Sequence, residues 1–114
     1  MVRTLSVEAE RFALAAAFTI SRGSKTEAAV LTCTIGQDGN AGRGECVPYA
    51  RYGETVDSVR DAIEAMRGDI ARGMSRQELL AAMKPGAARN ALDCALWDLE
   101  AKAAGVAVAA RIGA

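Results

Sequence analysis

The sequence contains no histidine, and its three cysteines form no Cys-x-x-Cys pair. Together these absences exclude the usual zinc spacings and the usual imidazole-based nucleophilic or acid–base dyads. Neither sign of charge dominates. Fourteen Lys and Arg balance fourteen Asp and Glu, so electrostatics give no reason to expect nucleic acid or an anionic membrane as a partner. No apolar run approaches the roughly 18 residues that suggest a spanning helix, and the opening stretch Met1 to Glu10 lacks the apolar centre of a secretory signal. Repeats, low-complexity tracts and linkers are also missing. The expectation is a single soluble domain in the cytoplasm: 114 residues, 51% hydrophobic and 25% charged, suit one unit with its own core. In that compartment Cys33 and Cys46, the one pair expected to be near neighbours, are expected to stay free thiols.

What is present begins with strand-like alternation. Leu5, Val7 and Ala9 fall on one side of a strand, and Thr4, Ser6, Glu8 and Glu10 on the other. After a run of small residues, Phe18 and Ile20 alternate with Thr19 and Ser21 until Arg22-Gly23-Ser24 breaks the pattern. Glu27 to Ile35 and Ala41 to Val47 flank Gly36-Gln37-Asp38-Gly39-Asn40, in which Asp38-Gly39 signals a two-residue hairpin. With that turn, Thr34 faces Arg43 and Thr32 faces Glu45. Leu31, Cys33 and Ile35 then share the opposite, apolar face with Gly42, Gly44 and Cys46. Glycines at 42 and 44 leave room for a helix to lie close.

The second half reads as helices. Thr55 is a plausible N-cap for a helix with apolar positions at Val56, Val59, Ile63, Met66 and Ile70, ended by Gly73. Ser75 and Glu78 make a capping box for a short helix bearing Leu79, Leu80 and Met83. Beyond Pro85-Gly86, the residues Ala88, Ala91, Leu92, Ala95 and Leu99 form the apolar stripe of a long helix. Asp98 and Lys102 on that helix are an i,i+4 pair, and Gly105 suits the C-cap. Val106 to Ile112 add a loose turn. The predicted architecture is α+β: a three-stranded antiparallel meander followed by a three-helix bundle, with one sheet face covered by helix.

Three places invite a functional reading. Arg22 and Lys25 flank a glycine turn and can receive an anion, although two ordinary surface cations on a solvated loop are the simpler reading of the residues alone. Pro48 to Glu54 combines two tyrosines, Arg51 and bending residues; it is either a binding surface or a connection whose tyrosines staple the next helix. Glu45, beside Arg43 and opposite Thr32, fits a structural ion pair better than a catalytic acid.

Four blocks in order, Phe18 to Lys25, Gly42 to Pro48, Arg51 to Thr55 and Arg89 to Lys102, span almost the whole chain. They resemble the N-terminal capping domain of the enolase superfamily, of the mandelate racemase/muconate lactonizing type, and are most similar to the dipeptide epimerase branch. The resemblance implies an isomerase that abstracts a proton next to a carboxylate and holds the resulting enediolate on Mg²⁺ in a C-terminal β/α barrel, with two barrel lysines exchanging the proton. This sequence has only Lys25, Lys84 and Lys102, without a Lys-x-Lys. Residues 1–114 are therefore expected to be the cap alone, with no catalytic residue and no metal site of their own, inactive without the barrel.

By the same resemblance the segments Phe18 to Lys25 and Pro48 to Glu54 are the loops that choose the substrate. Arg22 is expected to meet a carboxylate of a small acidic dipeptide, with Phe18, Ser21, Arg51 and Tyr52 shaping the pocket. The implied partners are the protein's own barrel, a small acidic dipeptide as substrate of the full enzyme, and further copies of the chain in a homo-oligomer. Two alternatives stay open: the cap of a cycloisomerase or acid-sugar dehydratase, and a free-standing binding domain.

Overall fold

The structure, a computed structural model, describes residues 3–13, 27–49 and 52–105. Strands β1 (Arg3–Ala13), β2 (Glu27–Gln37) and β3 (Asn40–Cys46) come first. Helices α1 (Val56–Glu64), α2 (Arg67–Ala71), α3 (Arg76–Ala82) and α4 (Ala87–Ala103) follow. The sheet is an antiparallel meander in the order β1-β2-β3.

Asp38 and Gly39 both take positive φ, 51° and 83°, the backbone of a primed two-residue turn whose twist matches that of the flanking strands. This turn sets the expected register: Thr34 pairs with Arg43, Cys33 with Gly44 and Thr32 with Glu45. Leu31, Cys33 and Ile35 are consequently buried on one face, while Arg43 and Glu45 are exposed on the other. Thr32 departs from the expected solvated face, being only 9% exposed. It lies on the middle strand, opposite Glu8 on one side and Glu45 on the other.

Helix α4 covers the apolar face. Its stripe of Ala88, Ala91, Leu92, Ala95 and Leu99 is buried, joined by Leu96. Contact is close because β3 presents glycine. A Cβ at Gly42 would lie 2.8 Å from the Cβ of Leu99, and one at Gly44 would lie 2.9 Å from the amide nitrogen of Ala95. Two side chains of α4 also reach round to the outer edge of β3. Asp98 accepts the Arg43 N–H at 3.0 Å, and Lys102 donates to the Ala41 carbonyl at 2.8 Å while pairing with Asp98 at 3.0 Å. These bonds satisfy backbone groups that would otherwise offer an edge for further pairing.

The helix expected from Val56 to Ile70 is two helices, so the described residues hold four helices where three were predicted. The chain tightens at Ala65 and Met66, where the Met66 N–H bonds back three residues to Ile63 at 3.0 Å. Both residues keep right-handed dihedrals, so the path bends without breaking. The bend carries Ile70 into the core and sets α2 beside β1, where Arg67 donates to the Leu5 carbonyl. Arg3 ties the same region from the strand side, donating to the carbonyls of Ile70 at 3.2 Å and Met74 at 2.9 Å. In α3 Leu79 is fully buried but Leu80, predicted as an apolar position, is 42% exposed. A helix of seven residues packed along one line has room for one such anchor. The Thr55 cap and the Ser75–Glu78 capping box form as expected, and Gly105 follows α4 with φ 76°. The loose turn expected from Val106 to Ile112 lies outside the described residues.

Candidate functional site

Of the residues predicted to shape a binding site, Tyr52 is described, whereas Phe18, Ser21, Arg22 and Arg51 lie outside the described residues. Tyr52 belongs to the connection between β3 and α1, which is fixed at its end by the Thr55 cap. The Thr55 Oγ accepts the Ser58 N–H, and the Ser58 Oγ accepts the Thr55 N–H, each at 2.9 Å. Gly53, at φ 77°, makes the turn that precedes this cap.

The connection folds back on Tyr49. The Tyr49 carbonyl accepts the N–H groups of Tyr52 at 2.9 Å and Glu54 at 3.2 Å. The two tyrosine rings meet edge to face, 4.8 Å apart at 84°, a favoured geometry for aromatic pairs. Val47, Tyr49 and Tyr52 nevertheless stay exposed, Tyr52 at 74%. Three large apolar or aromatic side chains facing solvent on one short segment suit a contact surface better than a staple into the core.

Glu54 is the polar centre of this region, a role that sequence reasoning missed. One carboxylate oxygen accepts the Tyr49 N–H at 2.8 Å, and the other accepts the N–H of Ala87, the first residue of α4, at 3.0 Å. Gly86 at the N-cap has no side chain with which to cap the helix, so the loop supplies the acceptor. Loop, cap and helix start open onto one groove of about 930 Å³. Tyr52 and Glu54 stand at its wall, Val59, Met66, Met83 and Ala88 give it an apolar lining, and Lys84 and Arg89 are its cations among the described residues.

Glu45 behaves as the simpler reading expected. It is paired with Arg43 at 3.9 Å, with both side chains more than half exposed, a weak surface pair. Among the described residues no group of three or more His, Cys, Asp or Glu is placed to hold a metal ion, so these residues do not fit Mg²⁺ as ligands. Cys33, Cys46 and Cys94 are free, and burial pushes the Cys33 thiol up to about 12 and the Cys46 thiol up to about 11. Buried thiols held protonated in this way are packing groups, not nucleophiles. Among the described residues no helix is long and apolar enough to cross a membrane.

A three-stranded meander backed by helices, with an exposed aromatic loop beside the start of the longest helix, defines an α+β domain of the enolase N-terminal kind. The chain belongs to the mandelate racemase / muconate lactonizing enzyme N-terminal domain family, which it matches over residues 2–113. It is 46% identical over 101 residues to the L-Ala-D/L-Glu epimerase of Escherichia coli (strain K12), covering 89% of this chain and 32% of that protein. Over 63 residues it is 49% identical to an N-acetyl-D-glutamate racemase of Pseudoalteromonas sp, 54% of this chain and 20% of that one. Among solved structures it resembles an enolase family member from Agrobacterium tumefaciens with homology to dipeptide epimerases, holding sodium and L-Ala-L-Glu with an ordered loop. There the TM-score is 0.90 at 57% identity, over 96% of this chain and 34% of that one. A solved L-Ala-D/L-Glu epimerase gives a TM-score of 0.86 at 42% identity, over 98% of this chain and 33% of that one. The chain thus spans about a third of the length of these three relatives, the two epimerases and the Agrobacterium enolase family member.

Proposed function

We propose that these 114 residues are the substrate-capping and specificity domain of a dipeptide epimerase, whose catalytic groups sit on a β/α barrel outside this sequence. The observation that carries the reading is the likeness, at 57% identity and a TM-score of 0.90, to an enolase family member holding L-Ala-L-Glu. In this reading inversion at the carbon next to the carboxylate uses two bases on opposite faces, both lysines of the barrel. Mg²⁺, where the barrel holds it, supplies charge stabilisation to the carboxylate. The domain described here contributes selection and exclusion of water. The free thiols fit a cytoplasmic setting.

The names of two relatives narrow the substrate class. L-Ala-D/L-Glu and N-acetyl-D-glutamate both present a glutamate whose nitrogen is acylated. We assign the same class here, an N-acylated glutamate, with the dipeptide as first choice and the N-acetyl amino acid as second. Its side-chain carboxylate is the partner for Arg22, and Phe18, Ser21, Arg51 and Tyr52 close around it. The test is made on the enzyme that carries this domain. Arg22→Ala raises KM for L-Ala-L-Glu at least about tenfold and leaves a neutral dipeptide nearly unchanged. Equal losses for both substrates remove the assignment of Arg22. Turnover of L-Ala-L-Glu by residues 1–114 alone overturns the division of labour between cap and barrel.

A further inference from the structure

Tyr49 and Tyr52 are largely exposed, so burial does little to fix where their rings stand. Hydrogen bonds hold this segment instead: the Tyr52 N–H donates to the Tyr49 carbonyl, and two further bonds join Tyr49 to Glu54. That residue is bonded to Tyr49 in both directions: its N–H donates to the Tyr49 carbonyl at 3.2 Å, and its carboxylate accepts the Tyr49 N–H at 2.8 Å. The second carboxylate oxygen is held by the Ala87 N–H at 3.0 Å. Ala87 opens α4, the helix that meets the sheet backbone to backbone at Gly42 and Gly44, so the exposed loop is referenced to that helix.

We infer that Glu54 is a positioning residue for substrate selection, a latch that sets Tyr49 and Tyr52 against the first turn of α4; this rests on the capping role proposed above. Only a carboxylate suits the arrangement, because both of its oxygens accept. Glutamine at this position accepts with one oxygen and points an N–H₂ at the other donor. Aspartate keeps the charge but loses a methylene of reach. Gly86 is a second, independent sign of the same fit, since a Cβ there would stand 3.1 Å from the carboxylate oxygen that caps the helix. A Ser, Thr or Asp at 86 is the ordinary way to cap a helix, but it leaves the loop unattached. Each carboxylate oxygen holds one backbone N–H, and the role assigned to Glu54 is to place the tyrosines, not to touch substrate.

The test compares wild type, Glu54→Gln and Glu54→Asp in the enzyme that carries this domain. KM and kcat are measured for L-Ala-L-Glu, and hydrogen–deuterium exchange is followed at the Tyr49 and Ala87 amides. Both variants are expected to raise KM about tenfold with kcat within about threefold, and to speed exchange at the two amides by about tenfold, with the interior of α4 unchanged. Unchanged exchange in both variants overturns the latch. Faster exchange with an unchanged KM overturns its part in selection. Impairment by Gln with full activity for Asp overturns it too, because charge and not reach is then what matters. Wild-type enzyme inert toward N-acylated glutamates would instead overturn the functional reading and with it the substrate half of this inference, while the exchange result still decides the latch.

Discussion

The carbonyl carbon of Ala91 stands 2.9 Å from the point a Cβ on Gly44 would occupy, so strand and helix meet where neither can move apart for a side chain. The same holds one pleat away, where a Cβ on Gly42 would be 2.5 Å from the backbone nitrogen of Leu99. Both obstacles are backbone, which cannot swing aside as the tip of a flexible side chain can. The position of α4, and of the loop latched to its first turn, follows from this approach.

Gly44→Ala is therefore expected to destabilise the domain by about 3 kcal/mol, at the upper end of what overpacking costs. Chemical denaturation of the purified protein measures it. Gly53→Ala, at a position with open space around it but a left-handed φ of 77°, is expected to cost only about 1 kcal/mol. A smaller loss at 44 than at 53 would contradict the packing argument.

Asp98 gives the fold an acid-sensitive clasp. Partial burial raises its pKa, but the Arg43 N–H and the Lys102 ammonium outweigh that and hold the carboxyl below the usual carboxylate value of 3.8. A depressed native pKa means that the stabilisation is complete above the unfolded value and is lost as pH falls through the native one. Asp98→Asn should cost about 1 kcal/mol at pH 7. The gap between wild type and variant should close below about pH 4. Thermal unfolding from pH 7 to pH 2 reads both quantities.

At the alkaline end, desolvation holds Cys33 near 12 and Cys46 near 11, against an ordinary 9.0. A raised native pKa makes the folded state retain protons that the unfolded chain releases, so stability falls as pH climbs from about 9 towards 11. Cys33→Val with Cys46→Val should flatten that decline. In the folded protein near pH 8 a thiol reagent should modify the exposed Cys94 alone, and the two buried thiols should react only on unfolding. Rapid labelling of all three would contradict their burial.

Arg76 joins α3 to α4, pairing with Asp93 at 2.9 Å and lying 4.3 Å over the ring of Trp97, the single tryptophan. Both charged side chains are about three-quarters covered. A double-mutant cycle of Arg76→Ala and Asp93→Ala should return a coupling of about 1 kcal/mol. Removing Arg76 should also change the tryptophan emission, because the cation leaves the ring face. A coupling near zero with unaltered emission would reduce this contact to a surface accident.

The amino-acid order by itself determined the three-stranded meander, the register of its second hairpin and its apolar face. Side-chain alternation has a period of two, and Asp38-Gly39 permits one turn, so every pairing from Leu31 to Cys46 followed. It also determined the α4 stripe, the caps at Thr55 and Ser75, and the small residues at 42 and 44, because caps and periodicity are local in sequence. The bend at Ala65–Met66 was not legible there, since nothing in those residues breaks a helix. The need to lay Ile70 into the core beside β1 decided it. Nor was the work of Glu54, whose second partner, Ala87, lies 33 residues further along the chain. A carboxylate before a helix reads as a solvated charge until the fold brings the start of another helix beside it. Chain-local patterns fix what each segment is, and only tertiary packing decides which backbone donors a long, flexible side chain can reach.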